Sequence, residues 1–115
     1  MCIFCKIINK ELPSEIIYED NDVIAIKDLH PITDNHTLVI PKNHAKNLID
    51  VSDESLTKAM IIAKRLASKH VNDGLAKGFN IIINNNSEAN QVVDHLHIHI
   101  VYRNSVDDIN YFSKK

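Results

Sequence analysis

From Asp94 to Val101 the chain reads DHLHIHIV, and this alternation constrains the fold more than any other stretch. Successive side chains of a β-strand point to opposite faces. Leu96, Ile98 and Ile100 therefore share one face, and His95, His97 and His99 share the other. The apolar face belongs against a core, so the imidazole face must look away from it or into a cleft. Same-face neighbours in a strand lie about 6.6 Å apart, which puts the Cα atoms of His95 and His99 about 13 Å apart. A zinc–nitrogen bond is about 2 Å long. The two outer histidines therefore cannot share one ion, although an adjacent pair can.

A single histidine on a strand is ordinarily a polar residue facing water. Three in strict alternation are different. Imidazole has an ordinary pKa near 6.5 and works as acid or base around neutrality. Crowding three rings raises the cost of charging any one of them. The arrangement favours neutral rings, which act as nucleophiles or metal ligands.

The rest of the chain supplies the frame. FCKIINKELPS predicts a short helix stopped by Pro13, and EIIYEDNDVIAIKDL predicts two strands around a turn at Asp20–Asp22. HPITDN is a loop. HTLVIPK is a third strand, ended by Pro41. Ser52 to Asn72 is a clear amphipathic helix, with Leu56, Ala59, Met60, Ala63, Leu66, Ala67 and Val71 on its apolar stripe. Ser52 or Asp53 caps it and Gly74 ends it. GFNIIIN and the stretch from Asp94 to Tyr102 are the last two strands, separated by a polar loop. Short connections between consecutive strands favour an antiparallel sheet with the long helix on one face, an α+β fold. In the tail, Ile109, Tyr111 and Phe112 point to a docking segment.

At 115 residues the chain is expected to form one domain over 1–115, with a tail from about residue 104. A net charge of -2 offers no basic field for nucleic acid or a membrane surface. No apolar run approaches the ~18 residues of a membrane span. MCIFCKII lacks the pattern of a secretory signal, so a cytoplasmic location is expected. The only cysteines, Cys2 and Cys5, form a Cys-x-x-Cys pair, half a zinc site by spacing. A redox reading needs a strand before the pair, for which there is no room.

His95-Leu96-His97-Ile98-His99-Ile100-Val101 resembles the signature of the histidine-triad family, three histidines alternating with apolar residues. The resemblance extends over CIFCKIINKELPSEIIYEDNDVIAIKDLHP at 2–31, HTLVIPKNH at 36–44 and GFNIIINNN at 78–86, and it covers about residues 2 to 103. It points to the nucleotide-binding branch of that family. It implies the HIT-like fold: a five-stranded, mainly antiparallel sheet, one long helix and a short N-terminal helix. It also implies a hydrolase or transferase acting at the α-phosphate of a nucleotide. His97 would be the nucleophile, giving a nucleotidyl-histidine intermediate that water then cleaves. His99 would contact the phosphate and assist the leaving group, and His36 would sit beside the triad. Asp28 would take the ribose hydroxyls and Leu29 would lie beside the base. Asn84 and Gln91 would contact the ribose–phosphate region. Relatives with this Cys-x-x-Cys opening bind zinc through two further histidines, here His44 and His95. Such a closed Cys₂His₂ site is structural. On this reading His95 is a ligand, whereas His97 and His99 do chemistry. A homodimer is also implied.

One segment departs from the family's pattern. The usual Gly-Gly-Gln-Ser-like run is Ala89-Asn90-Gln91-Val92 here. Two glycines that allow close backbone approach are absent, and so is a hydroxyl that donates to phosphate. The expected activity is that of a purine nucleoside phosphoramidase. A dinucleoside polyphosphate hydrolase and a nucleotide-binding zinc scaffold with little turnover are the alternatives.

Overall fold

The computed structural model describes residues 2–106. The tail residues Ile109, Tyr111 and Phe112 lie outside them. The element order is α1 (Ile3–Ile8), β1 (Ile16–Glu19), β2 (Val23–Lys27), β3 (Thr37–Pro41), α2 (Asp53–Asn72), β4 (Gly78–Ile82) and β5 (Ile98–Arg103), with a single 3₁₀ turn at Ser87–Ala89 before β5. Local chemistry sets the boundaries. Asp20 turns β1 into β2 by accepting the backbone N–H groups of Asp22 and Val23 at 2.7 and 2.8 Å. Ser52 caps α2 by accepting the Ser55 N–H at 3.1 Å. Gly74, at φ +78°, takes the left-handed conformation that lets the chain leave the helix.

The five strands form one antiparallel sheet in the order β1-β2-β3-β5-β4. β5 lies between β3 and β4 and is antiparallel to both, so β3 and β4 run parallel and α2 bridges them. The histidine-bearing strand is thus paired along both edges. Its ladder starts at Ile98, later than the strand from Asp94 that the alternation predicts. The last ladder pair with β3 is Val39 with Ile98. Beyond it β3 presents Pro41, which has no N–H to give. His95–His97 leave the ladder there and are held by other bonds, including the Leu96 N–H to the Ala45 carbonyl at 2.8 Å.

The sheet is covered unequally. On one face Ile98, Ile100 and Tyr102 join Val23, Ala25 and Val39 against Ala59, Ile62, Ala63 and Ala67 of α2. Ile62 is a core residue that the stripe read from the sequence passes over. On the other face Ile24, Ile26, Leu38 and Ile40 take Phe4 and Ile7 of α1. A six-residue helix is not stable alone. Burial of Phe4 and Ile7, three residues apart, docks it. The face opposite α2 is therefore walled on one side by α1, and the candidate site lies beside that wall. No helix among the described residues is long and apolar enough to cross a membrane.

Candidate active site and metal centre

The three alternating histidines enter two different environments. His97 is buried, and its Nδ1–H donates to the carbonyl of His95 at 2.8 Å. That bond leaves the Nε2 lone pair free. Phe4 of α1 meets the ring edge-on, with centroids 5.1 Å apart. Burial is the main influence on His97 and pushes its pKa below the ordinary 6.5, against smaller upward pulls from the His95 carbonyl and Asp28. The ring is held neutral around neutrality.

His99 lies next to His97, with centroids 4.9 Å apart, and its Nδ1 is 2.9 Å from Nε2 of His36. The proton positions follow from the backbone. Nδ1 of His36 accepts the Ile32 N–H at 3.1 Å, so the proton of a neutral His36 sits on Nε2 and is donated to His99. A neutral His99 then carries its own proton on Nε2. Asp28, His36 and His99 have ligand atoms close enough together to suggest a metal triad. The bond from Ile32 argues against it. To bind a metal through Nε2, a neutral His36 would need a proton on Nδ1, facing the Ile32 N–H.

Asp28, Leu29, His36, Asn84, His97 and His99 all line one cavity of about 490 Å³. Ile3, Phe4 and Ile7 form its wall on the α1 side. Leu29 is 85% exposed and Val92 88%, so two large apolar side chains lie uncovered beside the opening. Asp28 also accepts the His30 N–H at 2.9 Å, which fixes the turn after β2. Lys27 is the only lysine or arginine among the described lining residues, and it is paired with Glu15 at 3.2 Å.

His95 is fully buried and points elsewhere. Its Nε2–H donates to the Pro41 carbonyl at 2.8 Å, leaving the Nδ1 lone pair for the cluster of Cys2, Cys5 and His44. The separations among the two sulfurs and two Nδ1 atoms run from 3.1 to 3.7 Å. Four atoms at such spacing have a common centre about 2 Å from each, the length of zinc–nitrogen and zinc–sulfur bonds. Two thiols, two imidazoles and one tautomer already fixed by the backbone make a donor set that fits zinc. Without an ion, burial and the neighbouring Cys2 push the Cys5 thiol up from its ordinary value.

Gln91 is placed differently from the other candidate residues. It is buried and does not line the cavity. Its amide is held by Lys46, Asn47, Asn86 and Val93. Asn47, equally buried, was not singled out from the sequence. Its one signal there is a polar residue within the apolar-flanked run AKNLI. His30 is exposed at the cavity rim, and His70 stacks on Tyr102 at 4.0 Å, away from the site.

The HIT domain model matches residues 9–106. An uncharacterized HIT-like protein of Borreliella burgdorferi is 42% identical over 104 residues, covering 89% of this chain and 75% of its own. The adenosine 5'-monophosphoramidase HNT1 of Saccharomyces cerevisiae is 45% identical over 100 residues, covering 87% of this chain and 61% of its own. Among solved structures, a zinc-bound histidine triad family protein from Mycobacterium smegmatis superposes with a TM-score of 0.89 at 38% identity, over 96% of this chain and 81% of that one.

Proposed function

The chain belongs to the HIT-domain family, and from that premise we propose that it is a nucleotide hydrolase whose preferred substrate is a purine nucleoside phosphoramidate. The observation that carries the reading is the tautomer of His97. A buried neutral ring with Nδ1–H tied to a carbonyl and Nε2 facing a nucleotide-sized cavity is an activated nucleophile. Nε2 attacks the α-phosphorus, a phosphorus–nitrogen bond to His97 forms, and the bond to the leaving amine breaks. The Nε2–H of His99 hydrogen-bonds the departing nitrogen, which leaves as the amine with a proton drawn from the solvent in the open cavity. Water then attacks the same phosphorus, the bond to Nε2 of His97 breaks, and the proton lost by the water passes to solvent. Nucleoside monophosphate leaves and His97 is restored. Asp28 holds the ribose hydroxyls and Leu29 flanks the base, while Asn84 borders the phosphate.

The charge inventory of the cavity favours an amine leaving group over a polyphosphate. Lys27, the one lysine or arginine among the described lining residues, is little counter-charge for a chain of phosphates. Cys2, Cys5, His44 and His95 would hold a zinc ion, which supplies a structural clip between the N-terminus and the start of the catalytic segment. The purified protein is expected to turn over adenosine 5'-phosphoramidate faster than diadenosine polyphosphate. The variant His97→Ala should lose both the turnover and a trappable adenylyl adduct. Faster cleavage of the dinucleotide would replace the substrate class but keep the mechanism. Turnover of neither, with no adduct on wild type, would sink the hydrolase reading.

A further inference from the structure

Gln91 and Asn47 take no part in the mechanism above, yet their buried side-chain amides are fully hydrogen-bonded. Asn47 is 1% exposed and Gln91 6%. The Gln91 amide N–H₂ donates to the carbonyls of Lys46 at 2.6 Å and Val93 at 2.9 Å. Its oxygen accepts from the Asn86 backbone N–H at 2.8 Å and from Asn47 Nδ2 at 3.0 Å. Asn47 Nδ2 also donates to Asn86 Oδ1 at 2.9 Å, and Asn47 Oδ1 accepts the Ile49 N–H at 2.9 Å. Every donor and acceptor of the pair is used. A buried polar network satisfied in this way specifies one arrangement of the segments it joins.

The segments joined matter for the chemistry. One is the loop that carries the metal-ligand residue His44. The other, residues 84–93, contributes Asn84, Asn90, Val92 and Val93 to the cavity. That loop contains two non-glycine residues in the left-handed region, Asn86 at φ +75° and Asn90 at φ +69°. Asparagine tolerates the αL conformation of Asn90, but Asn86, at ψ 159°, sits where non-glycine backbone persists only when its surroundings over-determine it. The contacts to Asn86 and Val93 on either side of Asn90 are such surroundings.

We propose that Asn47 and Gln91 are positioning residues for the reaction, a buried amide clasp that fixes the 84–93 loop against the substrate phosphate. The inference rests on the hydrolase reading. The clasp touches no cavity surface and acts only through the loop. Small displacements of groups that orient a phosphoryl transfer cost about a hundredfold in rate. The nucleoside is held from a different loop, by Asp28 and Leu29, so its affinity should be spared.

The test uses the full chain with Asn47→Asp, Asn47→Ala and Gln91→Ala. Asn47→Asp keeps the shape but turns a two-fold donor into an acceptor facing Asn86 Oδ1 and Gln91 Oε1. Asn47→Ala leaves space for water and carries the test if the aspartate variant does not fold. Turnover of adenosine 5'-phosphoramidate is measured well below each variant's unfolding midpoint, per active site counted by the adenylyl adduct on His97. The expected result is a fall in kcat of about ten- to a hundredfold with KM within about threefold. The double variant Asn47→Ala/Gln91→Ala should be no worse than the worse single, because both residues act through one loop. A kcat per site within about twofold of wild type, with only the midpoint lowered, would make the clasp purely structural and overturn the inference while leaving the hydrolase intact. A wild type without turnover or adduct would overturn the hydrolase reading and this one with it.

Discussion

At the scale of single residues the site is a set of proton placements. Each key imidazole is given its tautomer by a backbone group: the His95 carbonyl for His97, the Pro41 carbonyl for His95, and the Ile32 N–H for His36. His99 has its tautomer from His36, one step removed. Replacing His36 by alanine should therefore cost kcat more than KM. The expected loss in kcat is on the order of a hundredfold, the scale of removing one preorganised hydrogen-bond donor. Steady-state kinetics on adenosine 5'-phosphoramidate check it, and an unchanged kcat would show that His99 does not depend on His36. Strand geometry alone put His95 and His99 too far apart to share one ion, while their separate roles were implied only by the family resemblance. The direction of Gln91 was not legible in the sequence. Its amide finds partners in Lys46 and Asn47, more than 40 positions away, and no local pattern predicts that pairing.

At the scale of elements, the β1–β2 hairpin offers a stability test apart from the chemistry. The Tyr18 hydroxyl, donating at 2.6 Å, and the Asp22 N–H hold the Asp20 carboxyl below its ordinary value of 3.8. A carboxyl depressed in the folded state stabilises the fold above its unfolded pKa, and that contribution is lost as pH falls through the folded pKa. Asp20→Asn should lower the urea midpoint at pH 7 and narrow the gap between variant and wild type near pH ~3. An unchanged gap at the two pH values would remove Asp20 from the turn's energetics. The turn and both caps of α2 were readable because their donors and acceptors lie within three or four residues of each other. The start of β5 was not, because the ladder ends where a proline of another strand withdraws its N–H.

At the scale of the whole molecule, the four candidate zinc ligands join residues 2 and 95, nearly the ends of the described chain. A clip there would also hold α1, whose Phe4 and Ile7 wall the candidate cavity. An ion bound only by the folded state adds stability of about 4 kcal/mol at a thousand times its Kd. For a domain of this size that is a midpoint shift on the order of 10 °C or more. Chelator should therefore lower the thermal midpoint of the wild type and leave that of His44→Ala almost unmoved. An equal response of the two, or none in the wild type, would remove the metal from the account of stability.

The sequence by itself determined the period-two segment, the faces of its apolar and imidazole residues, the long helix with its caps, and the sheet-and-helix class. These are local matters, set by backbone geometry and by bonds that span a few residues. Only the tertiary structure decided which group sits against each imidazole, that α1 closes one side of the candidate site, and that Gln91 turns inward to Asn47. The long-range contacts among them, Cys2 with His95, His36 with His99 and Asn47 with Gln91, span 44 to 93 residues. Such contacts form only when the sheet has brought β3 beside β5 and the loops before and after α2 together.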